Sequence, residues 1–133
     1  MKCLLVEPSA TLRRALGNAL RRAGVPEIVV ATDGLQAVAL ADSSFDLVVT
    51  EWTVPSLSGL ELIKRLRANP ETSEASLLML TSRAGKEDVL EALQAGVNGY
   101  LLKPFTGDGL RQSLEALIAV ENDEDEEESS EAA

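Results

Sequence analysis

The sequence predicts an α/β protein in which five parallel strands form one sheet with helices on both faces. Five short and almost continuously apolar runs alternate along the chain with five segments whose apolar residues recur every three or four positions. Strands that are apolar throughout are typical of a parallel sheet, because helices cover both of its faces. The length of 133 residues and the 45% hydrophobic content fit one domain with a substantial core.

The predicted elements follow one another with short connections. Ser9 can cap the first helix, in which Leu12, Ala15, Leu16, Ala19 and Leu20 share one face, and Gly24 ends that helix. The other helices are expected at about residues 35–41, from residue 60 to residue 67, at residues 87–95 before Gly96, and at residues 108–120. The predicted strands are residues 3–6, 27–31, 47–51, 77–81 and 99–102.

The composition excludes several classes of site. The chain has no histidine and one cysteine, Cys3, which lies in the first strand. Zinc sites, histidine-based acid–base catalysis, Ser-His triads and a disulfide framework are therefore excluded. No apolar run reaches the length of a signal-peptide core or a membrane span. We expect a cytoplasmic protein with no membrane partner.

The acidic residues are concentrated at the carboxyl end. Residues 121–133 hold 8 acidic and no basic residues, whereas residues 1–120 hold 14 acidic and 12 basic residues. We therefore expect a domain over residues 1–120 and a disordered acidic tail over residues 121–133. A solubilising tail or the start of a linker is the simpler interpretation, and binding of a basic partner is the alternative. Neither the acidic tail nor the nearly neutral domain suggests a nucleic-acid-binding footprint, so we expect no nucleic-acid partner.

Polar residues stand where four of the predicted strands end. Glu7 and Pro8 follow the first strand, Glu51 ends the third, Thr81 ends the fourth and Lys103 follows the fifth. Each of the polar residues alone is readily explained as a loop or surface residue. Because the carboxyl ends of parallel strands meet at one edge of the sheet, two carboxylates, a hydroxyl and an ammonium are predicted to converge there.

Two motifs among these strand ends are specific to a known family. They are "EWTVPSLSGLELI" at residues 51–63 and "GYLLKPF" at residues 99–105. The chain resembles the receiver domain of bacterial response regulators, most closely the single-domain chemotaxis type, over residues 2 to about 120. The resemblance implies a doubly wound, flavodoxin-like (βα)5 fold. It also implies a stand-alone receiver domain in two-component signal transduction that is not an enzyme.

In that family an aspartate at the end of the third strand accepts a phosphoryl group from a partner kinase. Two acidic residues after the first strand and a backbone carbonyl hold a magnesium ion beside it. The resemblance assigns Glu51 to the acceptor position, Glu7 and Pro8 to the acidic pair, and Thr53 to the carbonyl. The positions that follow the family pattern are the switch hydroxyl Thr81, the lysine Lys103, the cis proline Pro104 and the switch aromatic Tyr100.

Two departures from the pattern predict a degenerate phosphoacceptor site. Glu51 is longer than aspartate by one methylene, which displaces its oxygens by roughly 1.5 Å from the line of attack. Pro8 has no side-chain oxygen, although magnesium requires near-octahedral oxygen ligation. We therefore expect no catalytic residue, weak or absent magnesium binding, and no other metal or cofactor.

Two functions remain open at this point. The first is an atypical receiver that binds a protein partner without phosphorylation, on the face formed by the fourth helix, the fifth strand and the fifth helix. The second is a divergent phosphoacceptor that still takes a phosphoryl group from a histidine kinase, with Glu7 turned to hold a metal. In the first case Glu51 either imitates the phosphorylated state or only neutralises Lys103 in one inert conformation. The predicted partner face comprises Tyr100, Lys86, Val89, Gln94 and Phe105.

Overall fold

The structure is a computed structural model that describes residues 1 to 117. Its strands are β1 (Lys2–Val6), β2 (Glu27–Ala31), β3 (Leu47–Thr50), β4 (Ser76–Thr81) and β5 (Gly99–Leu102). Its helices are α1 (Ala10–Arg22), α2 (Gly34–Leu40), α3 (Gly59–Ala68), α4 (Lys86–Ala95) and α5, which covers residues 107–117. All neighbouring strands pair in parallel, in the order β2-β1-β3-β4-β5. The predicted doubly wound fold is confirmed.

The order of the strands places the candidate site. The chain moves from β1 outward to β2 and then returns across β1 to β3, so the direction of winding reverses between β1 and β3. In open α/β sheets the crevice beyond the carboxyl ends of the strands at such a reversal is the usual binding site. Glu7 and Glu51 directly follow the two strands on either side of this reversal.

Helices cover both faces of the sheet, and alternate residues of each central strand point to opposite cores. In β1, Leu4 and Val6 face the core formed with α2, α3 and α4, whereas Cys3 and Leu5 face the core formed with α1 and α5. All four residues are fully buried. Burial of a side chain the size of leucine contributes about 1.5–3 kcal/mol, so these two cores hold the strand ends in fixed positions.

Local signals for the helix ends are confirmed, with differences of one residue at several boundaries. The Ser9 hydroxyl accepts a hydrogen bond from Leu12 N at 3.3 Å, and Gly96 closes α4 in the left-handed conformation at φ 118°. The buried residues of α1 begin only at Leu16, and Leu12 and Ala15 of the apolar face are exposed.

The strand β3 is one residue shorter than the sequence predicts. It ends at Thr50, although Glu51 N still donates a hydrogen bond to Val6 O at 3.1 Å. The chain turns away immediately afterwards, because the Glu51 side chain bonds to the amide of the next residue in the loop. Glu51 therefore lies in the loop beyond the strand.

The predicted carboxyl end of the last helix and the acidic tail lie outside the described residues. The boundary between a domain over residues 1–120 and a tail over residues 121–133 therefore stays a prediction. Within residues 1–117, no helix combines the length and the apolar character needed to cross a bilayer.

Candidate functional site

Three of the four predicted rim residues meet in one cluster. Lys103 Nζ lies 2.7 Å from Glu7 Oε1 and 2.7 Å from Glu51 Oε2. The side chains of Glu7, Glu51 and Lys103 are only 4%, 12% and 17% exposed. The lysine ammonium thus bridges two largely buried carboxylates that follow β1 and β3. These three residues are called the rim cluster below.

The loop after β1 holds Glu7 through both carboxylate oxygens. Oε1 accepts from Lys103, and Oε2 accepts from Ser9 N at 3.1 Å. Arg13 Nη1 donates to the carbonyl oxygens of Glu7 and Pro8, at 2.9 and 3.3 Å. The intervening Pro8 is half-buried and offers no side-chain donor or acceptor. The first acidic position is therefore occupied in an ion pair, and the second has no ligand to offer.

The Glu51 side chain folds back along its own loop. Its Oε1 accepts from Trp52 N at 2.8 Å and more weakly from Thr53 N at 3.4 Å, while Oε2 pairs with Lys103. Gly59 allows the close approach of this loop to α3, since a Cβ there would lie 2.1 Å from Glu51 O. Both carboxylate oxygens of Glu51 therefore already have partners.

Each partner of the Glu51–Lys103 pair stabilises the charged form of the other. Burial raises the pKa of the Glu51 carboxyl, but the hydrogen bonds with Lys103 and Thr81 outweigh it and hold that pKa below its ordinary value. Burial lowers the pKa of Lys103, but the hydrogen bonds with Glu51 and Glu7 outweigh it and raise that pKa. At neutral pH the Glu51 carboxylate and the Lys103 ammonium are therefore both charged.

Thr81 joins the site from β4 and is almost fully buried. Its hydroxyl forms a hydrogen bond that lowers the pKa of Glu51, and its oxygen lies 3.4 Å from Arg83 N. The structure thus brings Thr81 to the same carboxylate as Lys103, as the sequence predicts. Thr53 lies next to the cluster but is exposed.

Arg83 connects the rim cluster to Tyr100, and sequence reasoning missed it. Its guanidinium stacks over the Trp52 ring at 4.8 Å, and Tyr100 Oη donates to Arg83 O at 2.7 Å. Arg83 Nη1 also lies 3.9 Å from the Asp88 carboxylate. No spacing signal could have revealed this contact, because Arg83 and Trp52 belong to loops after different strands. The Lys103–Pro104 peptide is cis, as the resemblance implies.

The residues at this rim do not fit a magnesium ion. A magnesium site needs several oxygen ligands in octahedral geometry, yet Pro8 supplies none and the Lys103 ammonium stands between the two carboxylates. No group of three His, Cys, Asp or Glu side chains within residues 1–117 is placed to hold a metal ion. Weak or absent magnesium binding stays a prediction.

The predicted partner face has an apolar surface that the sequence did not single out. Lys86 and Gln94 are exposed, whereas Val89, Tyr100 and Phe105 are partly buried, and Phe105 packs against the core beside α1 and α5. Three leucines of α4 and β5 are more exposed than these apolar residues: Leu90 at 56%, Leu93 at 49% and Leu102 at 43%. A possible signal was the spacing of Leu90 and Leu93, which places both on one side of α4.

The comparisons with known proteins agree with this fold. The profile of the response regulator receiver domain matches residues 3–115, and the chain belongs to this family. It is 42% identical over 119 residues to the chemotaxis protein CheY-3 of Vibrio cholerae, covering 89% of this chain and 92% of that protein. It is 38% identical over 120 residues to the chemotaxis protein CheY1 of Helicobacter pylori strain J99, covering 89% and 97%.

Solved structures show the same fold. The chemotaxis response regulator CheY4 of Vibrio cholerae is 30% identical with a TM-score of 0.79, covering 87% of this chain and 97% of that one. The receiver domain of the sensor histidine kinase PA1611 from Pseudomonas aeruginosa is 29% identical with a TM-score of 0.78, covering 89% and 97%. That structure holds a magnesium ion in its active site cleft. The chain is therefore a CheY-like receiver domain of two-component signalling, a class of signalling protein that acts through protein partners.

Proposed function

We propose that this chain is a cytoplasmic, atypical receiver that binds a protein partner without being phosphorylated. One observation supports the proposal most strongly: Lys103 Nζ is bound at 2.7 Å by both rim carboxylates, Glu7 and Glu51. In this arrangement the lysine pairs directly with the residues that stand at the acceptor position and at the first metal-binding position of the family. The side chains of the site thus occupy one another's charged groups.

The acceptor chemistry is disfavoured at two points. An attacking carboxylate oxygen must be free and in line with the leaving group, but Glu51 uses one oxygen for Lys103 and the other for Trp52 N. A metal that neutralises the developing charge would need a ligand where Pro8 stands. Each defect alone lowers the rate of phosphoryl transfer. Together they leave the nucleophile out of line and the developing negative charge without a metal ion.

The same contacts fix the switch residues in one arrangement. Glu51 bonds with Lys103 and Thr81, and Tyr100 Oη is held by Arg83 O at 2.7 Å. A carboxylate carries one negative charge, whereas a phosphoryl group carries nearly two and has three acceptor oxygens. Glu51 therefore supplies a permanent but weaker charge at the acceptor position, and the conformation of the domain does not depend on a kinase.

The partner is a protein that covers an apolar surface. Leu90 and Leu93 of α4 are about half exposed, and Leu102 at the end of β5 is 43% exposed. Large side chains of this kind cost free energy when they remain in water, and a cluster of them is typical of an interaction site. We place the partner on the surface formed by α4, β5 and α5, around these leucines, Lys86 and Tyr100.

A set of variants at the two altered positions tests the proposal. Glu51→Asp restores the length of the acceptor, Pro8→Asp restores a metal ligand, and the double variant restores both. We expect the wild type and both single variants to remain unmodified by acetyl phosphate and magnesium, while the double variant gains a phosphoryl group. Such non-additivity is expected of groups that act as a unit. Intact mass spectrometry measures the uptake.

The matched control is Glu61→Asp combined with Pro70→Asp, which makes the same two changes at exposed positions outside the rim. It should remain unmodified. Phosphate uptake by the wild type or by Glu51→Asp alone would contradict the proposal and support the divergent phosphoacceptor instead.

A further inference from the structure

The surface of α1 is the most basic part of the described chain. Four of the 12 basic residues of the protein lie on this helix, and residues 8–26 contain no acidic residue. Arg14, Arg21 and Arg22 are exposed, and none of them forms an ion pair within residues 1–117. Arg13 uses its Nη1 on the loop after β1. Most other basic side chains in this part of the protein already have partners.

Three of the four arginines of α1 border a groove between this helix and the edge strand β2. The groove has a volume of about 320 Å³ and is lined by Arg13, Arg14, Arg21, Ile28 and Val30 among others. Because β2 stands at one edge of the sheet in the order β2-β1-β3-β4-β5, its outer side has no neighbouring strand. Val30 is 46% exposed on this strand. A segment that covers this groove would need negative charges facing α1.

We propose that the acidic segment at residues 121–133 of the same chain binds along this α1–β2 groove. The segment carries eight negative charges and no positive charge, whereas residues 1–120 have a net charge of −2. The four arginines of α1 therefore form the local surface whose charge is opposite to that of the segment. The basic partner considered for the acidic residues is then the protein's own first helix.

The length of the chain allows the contact. Residues 118–133 comprise 16 residues, which span up to roughly 55 Å when extended. A folded domain of this size has a radius of gyration of about 13 Å, so the extended segment is longer than the domain is wide and is long enough to reach α1. Tethering by a short linker gives an effective concentration in the millimolar range. Ion pairs that are individually weak on an exposed surface can therefore be populated within one chain.

Paramagnetic relaxation in the full-length protein tests the proposal. A nitroxide is attached to Ser129→Cys; the native Cys3 does not compete, because it is fully buried and burial raises its pKa to about 12. We expect loss of amide signal intensity concentrated in α1 and β2. The loss should disappear in 1 M NaCl, where the screening length falls to about 3 Å.

Two matched pairs of substitutions locate the contact. Arg21→Gln with Arg22→Gln should restore the α1 signals, whereas Lys64→Gln with Arg65→Gln removes two exposed charges from α3 and should leave the losses unchanged. Substitution of Glu126, Glu127 and Glu128 by glutamine alters only the acidic segment and should also restore the signals. This third variant keeps the test valid if a change in α1 impairs folding.

A mixture of labelled ¹⁴N protein and unlabelled ¹⁵N protein separates contacts within one chain from contacts between copies. We expect no losses in this mixture. Losses in the mixture would mean that the segment binds a second copy, and losses that are absent, uniform or centred elsewhere would mean that it does not bind α1. Each of these results overturns the proposal.

Discussion

Replacing Lys103 by methionine removes the only cation of the rim cluster while keeping a side chain of similar length. The two carboxylates of Glu7 and Glu51, which are 4% and 12% exposed, would then face each other without the ammonium that lies 2.7 Å from both. Removing one partner of a buried ion pair typically costs about 3–5 kcal/mol. For a domain of this size the melting temperature should fall by roughly 10–20 °C.

The destabilisation caused by Lys103→Met should depend on pH in a defined direction. In the wild type the pKa of Glu51 is lowered, so its contribution to stability is present above the ordinary pKa of 4.5 and is lost as the pH falls through the folded value. In Lys103→Met the two adjacent carboxylates favour binding of a proton in the folded state. The variant should therefore gain stability as the pH falls from 7 to 5. The difference in unfolding free energy between the variant and the wild type should become smaller.

Urea denaturation at pH 7 and pH 5 measures both effects, with Lys64→Met as the matched control. Lys64 pairs with Glu61 at 3.4 Å, but both side chains are about half exposed, so its loss should cost less than about 1 kcal/mol. If Lys103→Met is no more destabilising than Lys64→Met, or if the gap fails to narrow at pH 5, the rim cluster is not the buried ionic site described above.

Two further predictions concern the metal and the partner face. Trp52 adjoins the rim and is 7% exposed, so its fluorescence should report an ion bound there. We expect no change in emission on titration with magnesium. Saturable quenching at sub-millimolar magnesium would refute the predicted loss of the metal site. Leu90→Ser with Leu93→Ser should leave the urea midpoint almost unchanged because both side chains are about half exposed, and it should abolish capture of the partner from lysate by the immobilised protein. Leu12→Ser with Leu35→Ser, two exposed leucines elsewhere, is the control, and equal loss of capture in both variants would place the partner elsewhere.

The fold was predictable because its signals are local. The runs at β1, β3 and β4 are apolar at nearly every position, and Ser9 and Gly96 mark helix ends through their own backbone chemistry. The convergence of Glu7, Glu51 and Lys103 was also predictable, since each follows a strand of one parallel sheet. Strand ends meet at one edge whatever the details of packing.

The finer contacts were not predictable, because they depend on packing between distant segments. Nothing in the sequence shows that Arg83 would stack on Trp52 or that its carbonyl would accept from Tyr100. The exposure of Leu12 and Leu93 could not be predicted from the sequence either. A helical period identifies an apolar face, but only the positions of neighbouring elements decide how much of that face is covered.

We propose that the conformation of this receiver does not respond to a phosphodonor. The most direct measurement is the amide NMR spectrum of the wild-type protein before and after addition of magnesium and acetyl phosphate. Because Lys103 already pairs with Glu7 and Glu51, we predict that the signals of Thr81, Tyr100 and α4 remain where they are. Shifts of these signals that appear only with both reagents and reverse on removal of the phosphodonor would contradict the claim.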